Sequence, residues 1–124
     1  MSVVAGDLLD LARELTASAA FLPEIPRREA ILRAAVGRAY YAAFWAARRH
    51  AQHRGFDLAD RPAQYSSHEM VWDWWFVVRE PRSDVRVRGN ELKRSRIVAD
   101  YSAGATVTPT MAEATVRLAS ETIG

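Results

Sequence analysis

Arginine and histidine are the residues here whose types could do chemistry. Arg61 and His68 stand with six residues between them, Arg48 and His53 with four. Arginine is always charged and presents a planar fork that holds and neutralises a phosphate. Histidine moves protons near neutral pH, so it could take a proton from an attacking hydroxyl or return one to a leaving oxygen. Such a pair could cleave RNA through the 2′-hydroxyl without a metal. The rest of the chain offers little else: no cysteine, and only three histidines, none paired at metal-ligand spacing with a carboxylate. Glycine-rich phosphate loops, nucleophile elbows and carboxylate clusters are absent from the sequence, so neither a metal nor a cofactor is expected.

A second set of polar residues is basic. Arg79, Arg82, Arg86, Arg88, Lys93, Arg94 and Arg96 face only Glu80, Asp84 and Glu91 over the same stretch, within a chain of net charge +2. A local positive field of this kind attracts a polyanion such as RNA or an acidic protein surface. Read more simply, it is a solvated helix face. On this basis Arg86, Arg88, Arg94 and Arg96 are the candidate RNA-binding residues. Arg96 and Asp100, four apart, also have the spacing of a helix ion pair.

The elements that must position these groups are helices. At 124 residues, 49% hydrophobic and 26% charged, the chain is expected to form a single domain over residues 1–124. No apolar run is long enough to cross a membrane, and the start lacks the basic region of a signal peptide, so a cytoplasmic protein is expected. Val4, Leu8, Leu11, Leu15 and Ala19 recur at helical spacing, and Pro23 and Pro26 stop that helix. A long second helix is predicted from about Arg27 to Arg54, with Gly55 ending it. Its stripe Leu32, Ala35, Val36, Ala39, Ala43, Ala46 and Ala47 is narrow enough for close helix packing. Another stripe, Arg38, Tyr41, Trp45, Arg48 and Gln52, mixes aromatic and basic groups. After a loop containing Arg61-Pro62, Ser66 and Glu69 form a capping box that opens a tryptophan-dense third helix. A fourth spans about Asp84 to Ala103, weakened by Gly89, and a fifth begins at Thr108-Pro109 or at Thr110…Glu113. No segment alternates like a strand. The expected fold is all-α, an up-and-down bundle of about five helices.

Two segments carry a family likeness. Gly37-Arg38-Ala39-Tyr40-Tyr41-Ala42-Ala43-Phe44 lies in the second helix, and Arg96-Ile97-Val98-Ala99-Asp100-Tyr101 in the fourth. Together they resemble the HEPN family, small helical bundles often encoded beside a minimal nucleotidyltransferase, some of which are RNA-cutting toxins. The likeness covers roughly residues 28–123. It implies a HEPN-like bundle in a two-gene nucleotidyltransferase or toxin–antitoxin system of stress or phage defence. Ribonuclease members carry arginine, four to six residues, then histidine, usually early in the late helix. There this chain has an aspartate, Asp100, near where histidine would stand. With three histidines and three permitted spacings, about one accidental match is expected, so the two matches weigh little.

The resemblance therefore implies first a partner-binding module that engages a nucleotidyltransferase, with Arg38, Tyr41, Asp100 and Tyr101 as structural or partner-binding residues. The alternative is a metal-independent endoribonuclease with Arg61 and His68 as catalytic residues. A helical adaptor unrelated to any nucleotidyltransferase is a third reading. In the nuclease reading His68, in the first turn of its helix, has a lowered pKa and serves as general base; otherwise it caps or bridges helices. Four tryptophans exceed what one small bundle holds inside, so a homodimer through the second and third helices is expected.

Overall fold

A computed structural model describes residues 4–22, 25–57 and 64–123 of the chain. They form five helices and, among the described residues, no strand: α1 (Val4–Ala19), α2 (Ile25–His53), α3, α4 (Ser83–Tyr101) and α5 (Pro109–Ile123). α3 is one continuous helix that begins as α-helix over Ser67–Glu69 and widens to π-helix over Met70–Arg79. No helix is long and apolar enough to cross a membrane. The all-α bundle expected from the periodicity is present.

α2 is the central element, packed against α1, α4 and α5. Its small-residue stripe explains this: Leu32, Ala35, Val36, Ala39, Ala43 and Ala47 are all buried, and alanines at helical spacing let three neighbours approach one axis. The mixed stripe looks outward: Arg38 and Trp45 are exposed, and Tyr41 and Arg48 half-buried. Gly55, at φ +98°, ends α2 in a conformation that L side chains avoid. Phe56 N–H then reaches the Ala51 carbonyl at 3.0 Å and Gly55 N–H that of Gln52 at 3.2 Å, the paired bonds of a Schellman cap. The cap turns Phe56 inward, edge-on to Trp75 with ring centroids 5.7 Å apart.

The predicted capping box opens α3, with Ser66 Oγ accepting from Glu69 N–H at 3.2 Å and Glu69 Oε1 from Ser66 N–H at 3.1 Å. The π-helix that follows was not legible in the sequence. Its wider turn lets consecutive bulky residues share a broad face. Met70, Val71, Trp72, Trp75 and Phe76 are all buried, while Val77 and Val78 stay exposed. Two of the three clustered tryptophans thus enter the core, one beneath the Phe56 segment, and Trp74 is partly buried against the same cluster. Trp45, at 40% exposure, is the tryptophan left outside.

Of the two predicted starts for α5, the earlier is used: Thr108 Oγ1 accepts from Met111 N–H at 3.1 Å, and Pro109 takes the first helical position.

Candidate functional site

The site is built where α2, α3 and α4 meet. Tyr40 and Phe44, one turn apart on α2, face His68 and Trp72, one turn apart on α3. His68 lies over Phe44 with centroids 4.3 Å apart and planes inclined by 22°, and against Tyr40 at 5.5 Å. Trp72 Nε1–H donates to Tyr40 Oη at 3.1 Å, and Tyr40 Oη meets His68 Nδ1 at 2.5 Å. Tyr40 and Trp72 are wholly buried, while His68 is half-buried. The result is a chain of hydrogen bonds running from the core to the rim of the bundle.

Arg96 reaches this group from α4. Its Nη1 donates to Tyr41 Oη at 3.1 Å, and its guanidinium stands 5.3, 5.5 and 5.9 Å from the ring centroids of Tyr40, Tyr41 and Tyr101. These are cation–π distances. Asp100 Oδ2 is 3.5 Å from the same nitrogen, at the limit of a hydrogen bond, and Asp100 is itself partly open to solvent. Arg96 is therefore held mainly by tyrosine, with the spaced aspartate a lesser support. Its Nε is sealed from solvent without a partner among the described residues.

Electrostatics follow from this packing. Burial pushes the Tyr40 phenol up to about 12, against the Trp72 N–H and Arg96, which favour its ionised form. The His68 imidazole is held below its ordinary value, first by burial and then by the positive charges of Arg96 and Lys93. The expected direction is thus found, with burial as its leading cause. Both effects favour the neutral imidazole.

The sequence-predicted residues divide. Tyr41, Arg96, Asp100 and Tyr101 come together, with His68 beside them, whereas Arg38 is exposed and stands apart from the contacts described. Arg61 lies outside the described residues. The basic residues of α4 do not form one stripe. Arg86 binds Asp73 of α3, Nε to Oδ1 at 3.2 Å, and Arg94 is exposed. Arg88 lies 3.8 Å from Asp84 and lines a cavity of about 330 Å³ with Arg82, His50 and Phe76. His53 is exposed, as its polar setting suggests, but His50 is not idle: Nε2 meets both Glu80 oxygens at 3.0 and 3.1 Å and the ring stacks on Phe76.

Sequence reasoning missed four contributors. Trp72 belongs to the site as a donor; the four-residue spacing from His68 on a predicted helix could have placed it there. Lys93 is the α4 residue one turn before Ile97 and Arg96, and only the fold brings its charge to His68. Arg33 and Glu29, which hold the end of α4, carry no local signal beyond an i, i+4 pair. Among the described residues no group of three or more histidines, aspartates or glutamates is placed to hold a metal ion. Comparison with protein-family models, with curated proteins and with solved structures finds no match to this chain in any of the three.

Proposed function

We propose that this chain is a HEPN-like module of a two-gene nucleotidyltransferase or toxin–antitoxin defence system, a cytoplasmic homodimer that acts by binding its partner protein. One observation carries the reading. Two polar groups of the family-like segments are engaged within the bundle: Tyr40 with Trp72 and His68, and Arg96 with the Tyr41 hydroxyl and the rings of Tyr40, Tyr41 and Tyr101. Groups so engaged organise helix packing. Suited to protein contact are the aromatic groups that face outward: Trp45 with the Arg48 guanidinium 4.9 Å above its ring, and Tyr101 at 73% exposure.

The purified protein is expected to leave single-stranded RNA intact in EDTA and to co-purify stoichiometrically with the nucleotidyltransferase encoded beside it. The metal-independent ribonuclease is the second reading, favoured by a half-buried neutral histidine in the field of Arg96 and Lys93. Robust cleavage in EDTA that disappears in His68→Ala would replace the first reading with the second. Loss in Arg61→Ala as well would assign the phosphate-holding arginine. A neighbouring gene of unrelated type, with neither complex nor cleavage, would leave the simple adaptor.

The homodimer has its own test. Trp45 and Arg48 stand on the outward stripe of α2, and a tryptophan that open to water gains from being covered. Sedimentation should show a dimer at micromolar concentration, shifted toward monomer by Trp45→Glu. A monomer at high micromolar concentration would refute it.

A further inference from the structure

The Tyr40 hydroxyl has a single proton and needs an acceptor for it. Tyr40 is fully buried, and its oxygen has two neighbours among the described residues. Trp72 Nε1 is donor only, so it fills a lone pair of that oxygen. If His68 Nδ1 carried a proton as well, two donors would point at the oxygen and the hydroxyl proton would be left buried without a partner. That arrangement forfeits a hydrogen bond in a site where none can be replaced by water. The order that satisfies every group is Trp72 N–H to Tyr40 Oη, and Tyr40 O–H to His68 Nδ1. In neutral histidine the remaining proton then sits on Nε2.

Nε2 lies on the other edge of the ring. It has no hydrogen-bond partner among the described residues, yet it is not one of the side-chain nitrogens sealed from solvent, which are Arg48 Nε and Arg96 Nε. It therefore opens outward. The charges around it come from each packed element. α4 brings Lys93 and Arg96, whose fields both reach the imidazole, and Asp100, whose Oδ2 lies 3.5 Å from Arg96 Nη1. α3 brings Glu69 and Asp73: Glu69 accepts from Ser66 N–H at 3.1 Å and also lies in the field of Lys93, and Asp73 accepts from Arg86 at 3.2 Å and Asn90 at 2.9 Å. α2 brings the uncharged Tyr40 and Tyr41. An N–H open to solvent within the fields of two cations is a receptor for an oxyanion, which would compete there with Glu69 for Lys93 and with Asp100 for Arg96.

We infer that Tyr40 fixes His68 as the Nε2–H tautomer, so that the rim beside Lys93 and Arg96 donates a hydrogen bond to an oxyanion such as a phosphate group and does not act as a general base. Tyr40 is then a positioning residue, and Trp72 positions Tyr40. The inference is independent of the partner-binding reading. Under the ribonuclease reading it would restrict His68 to binding or protonating a phosphate or leaving oxygen, and the proton acceptor for the 2′-hydroxyl would have to be another group.

Nitrogen-15 spectra of the full-length protein at neutral pH test it directly. His68 Nδ1 should resonate as an unprotonated nitrogen and Nε2 as a protonated one. Tyr40→Phe should bring both toward the averaged values of a mixed tautomer. Titration with inorganic phosphate should move Nε2 saturably, and Lys93→Gln should weaken that binding about fivefold, the effect of losing one partly screened charge. A protonated Nδ1 in the wild-type protein would overturn the tautomer, whatever the fate of the Tyr40 variant. An Nε2 signal unmoved by phosphate would overturn the oxyanion site. Movement equally strong in Lys93→Gln would remove the role given to that lysine. A short single-stranded RNA as second titrant separates the sources of the phosphate: much tighter binding than inorganic phosphate would mark a nucleic-acid backbone, equal or weaker binding a small-molecule phosphate.

Discussion

Arg33→Met should destabilise the protein by about 3 kcal/mol and lower the melting temperature by on the order of 10 °C. The reason is the number of acceptors served by one guanidinium. Nη1 donates to the Val98 and Ala99 carbonyls at 3.2 and 2.9 Å, and Nη2 donates to Ser102 at 3.2 Å and to Ala105. Two of these carbonyls, Val98 and Ser102, also accept backbone N–H groups, from Ser102 and Ala105 at 3.1 Å each, whereas Ala99 and Ala105 at the end of α4 and the turn after it depend on the guanidinium. A cation at that end also meets the negative pole of the helix. Arg33→Lys should recover only part of the loss, since an ammonium lacks the planar fork that spans several carbonyls. Glu29 completes the clamp, accepting from Arg33 at 3.2 Å and from Val107 N–H at 2.9 Å. The Val107 N–H, helped by Arg33 and opposed by desolvation, holds the Glu29 carboxyl below its ordinary value. A lowered carboxyl pKa contributes stability that is present above the ordinary value of 4.5 and is lost as pH falls through the folded value. Arg33→Met removes part of that lowering, so the gap between wild type and variant should narrow in acid. Melting curves across acidic pH check both statements; an unchanged melting temperature in Arg33→Met would show that water replaces the arginine without cost.

How much of this was legible in advance depends on how local each signal is. The helices followed from apolar spacing, and the start of α3 from the Ser66–Glu69 capping box, because those signals lie within a few residues. The alanine stripe of α2 marked the face on which neighbours pack for the same reason. The π-helix did not follow, since a ten-residue run of i to i+5 bonds has no sequence signature, and it settles how many tryptophans the interior holds. Arg96 and Asp100 carry the local spacing of an ion pair, yet Arg96 binds Tyr41, 55 residues away, more closely, because α2 packs against α4. The partnership of His68 with Tyr40 and Trp72 was not expected, because residues 28 and 32 positions from Tyr40 meet it only through the angle between α2 and α3. Arg88 and Arg86 are two residues apart and face opposite partners, which composition alone hides: a run of basic residues in sequence becomes separate ion pairs on a helix.

Gly89 is where local and tertiary requirements disagree most. Read locally, a glycine in the middle of α4 weakens the helix, and Gly89→Ala should gain about 1 kcal/mol of propensity. A β-carbon there would come within 2.3 Å of two carbons of the Trp72 ring, far inside contact distance. That ring cannot swing aside cheaply. It is fully buried, bonded through Nε1 to Tyr40, and set against Phe44 and Phe76 with centroids 6.2 and 6.3 Å away. Overpacking of this kind costs about 1–3 kcal/mol and more where the neighbour is fixed, so a net loss of about 2 kcal/mol is expected. The strain should travel. If α4 moves away, Lys93 and Arg96 withdraw from His68; if Trp72 moves, Tyr40 loses its donor. In either case the His68 nitrogen signals should change in Gly89→Ala even where the fold survives, a response that a purely local helix effect would not produce. Trp72→Phe removes Cε3 and Cζ3, two of the three indole carbons that the β-carbon would meet, and keeps a ring carbon near Cδ2, so it relieves part of the clash. The double variant Gly89→Ala, Trp72→Phe should therefore be more stable than the two single losses added together. Chemical denaturation of the four proteins closes the cycle. Strict additivity would mean that Gly89 is not shaped by Trp72, and a more stable Gly89→Ala would mean that helix propensity governs the position.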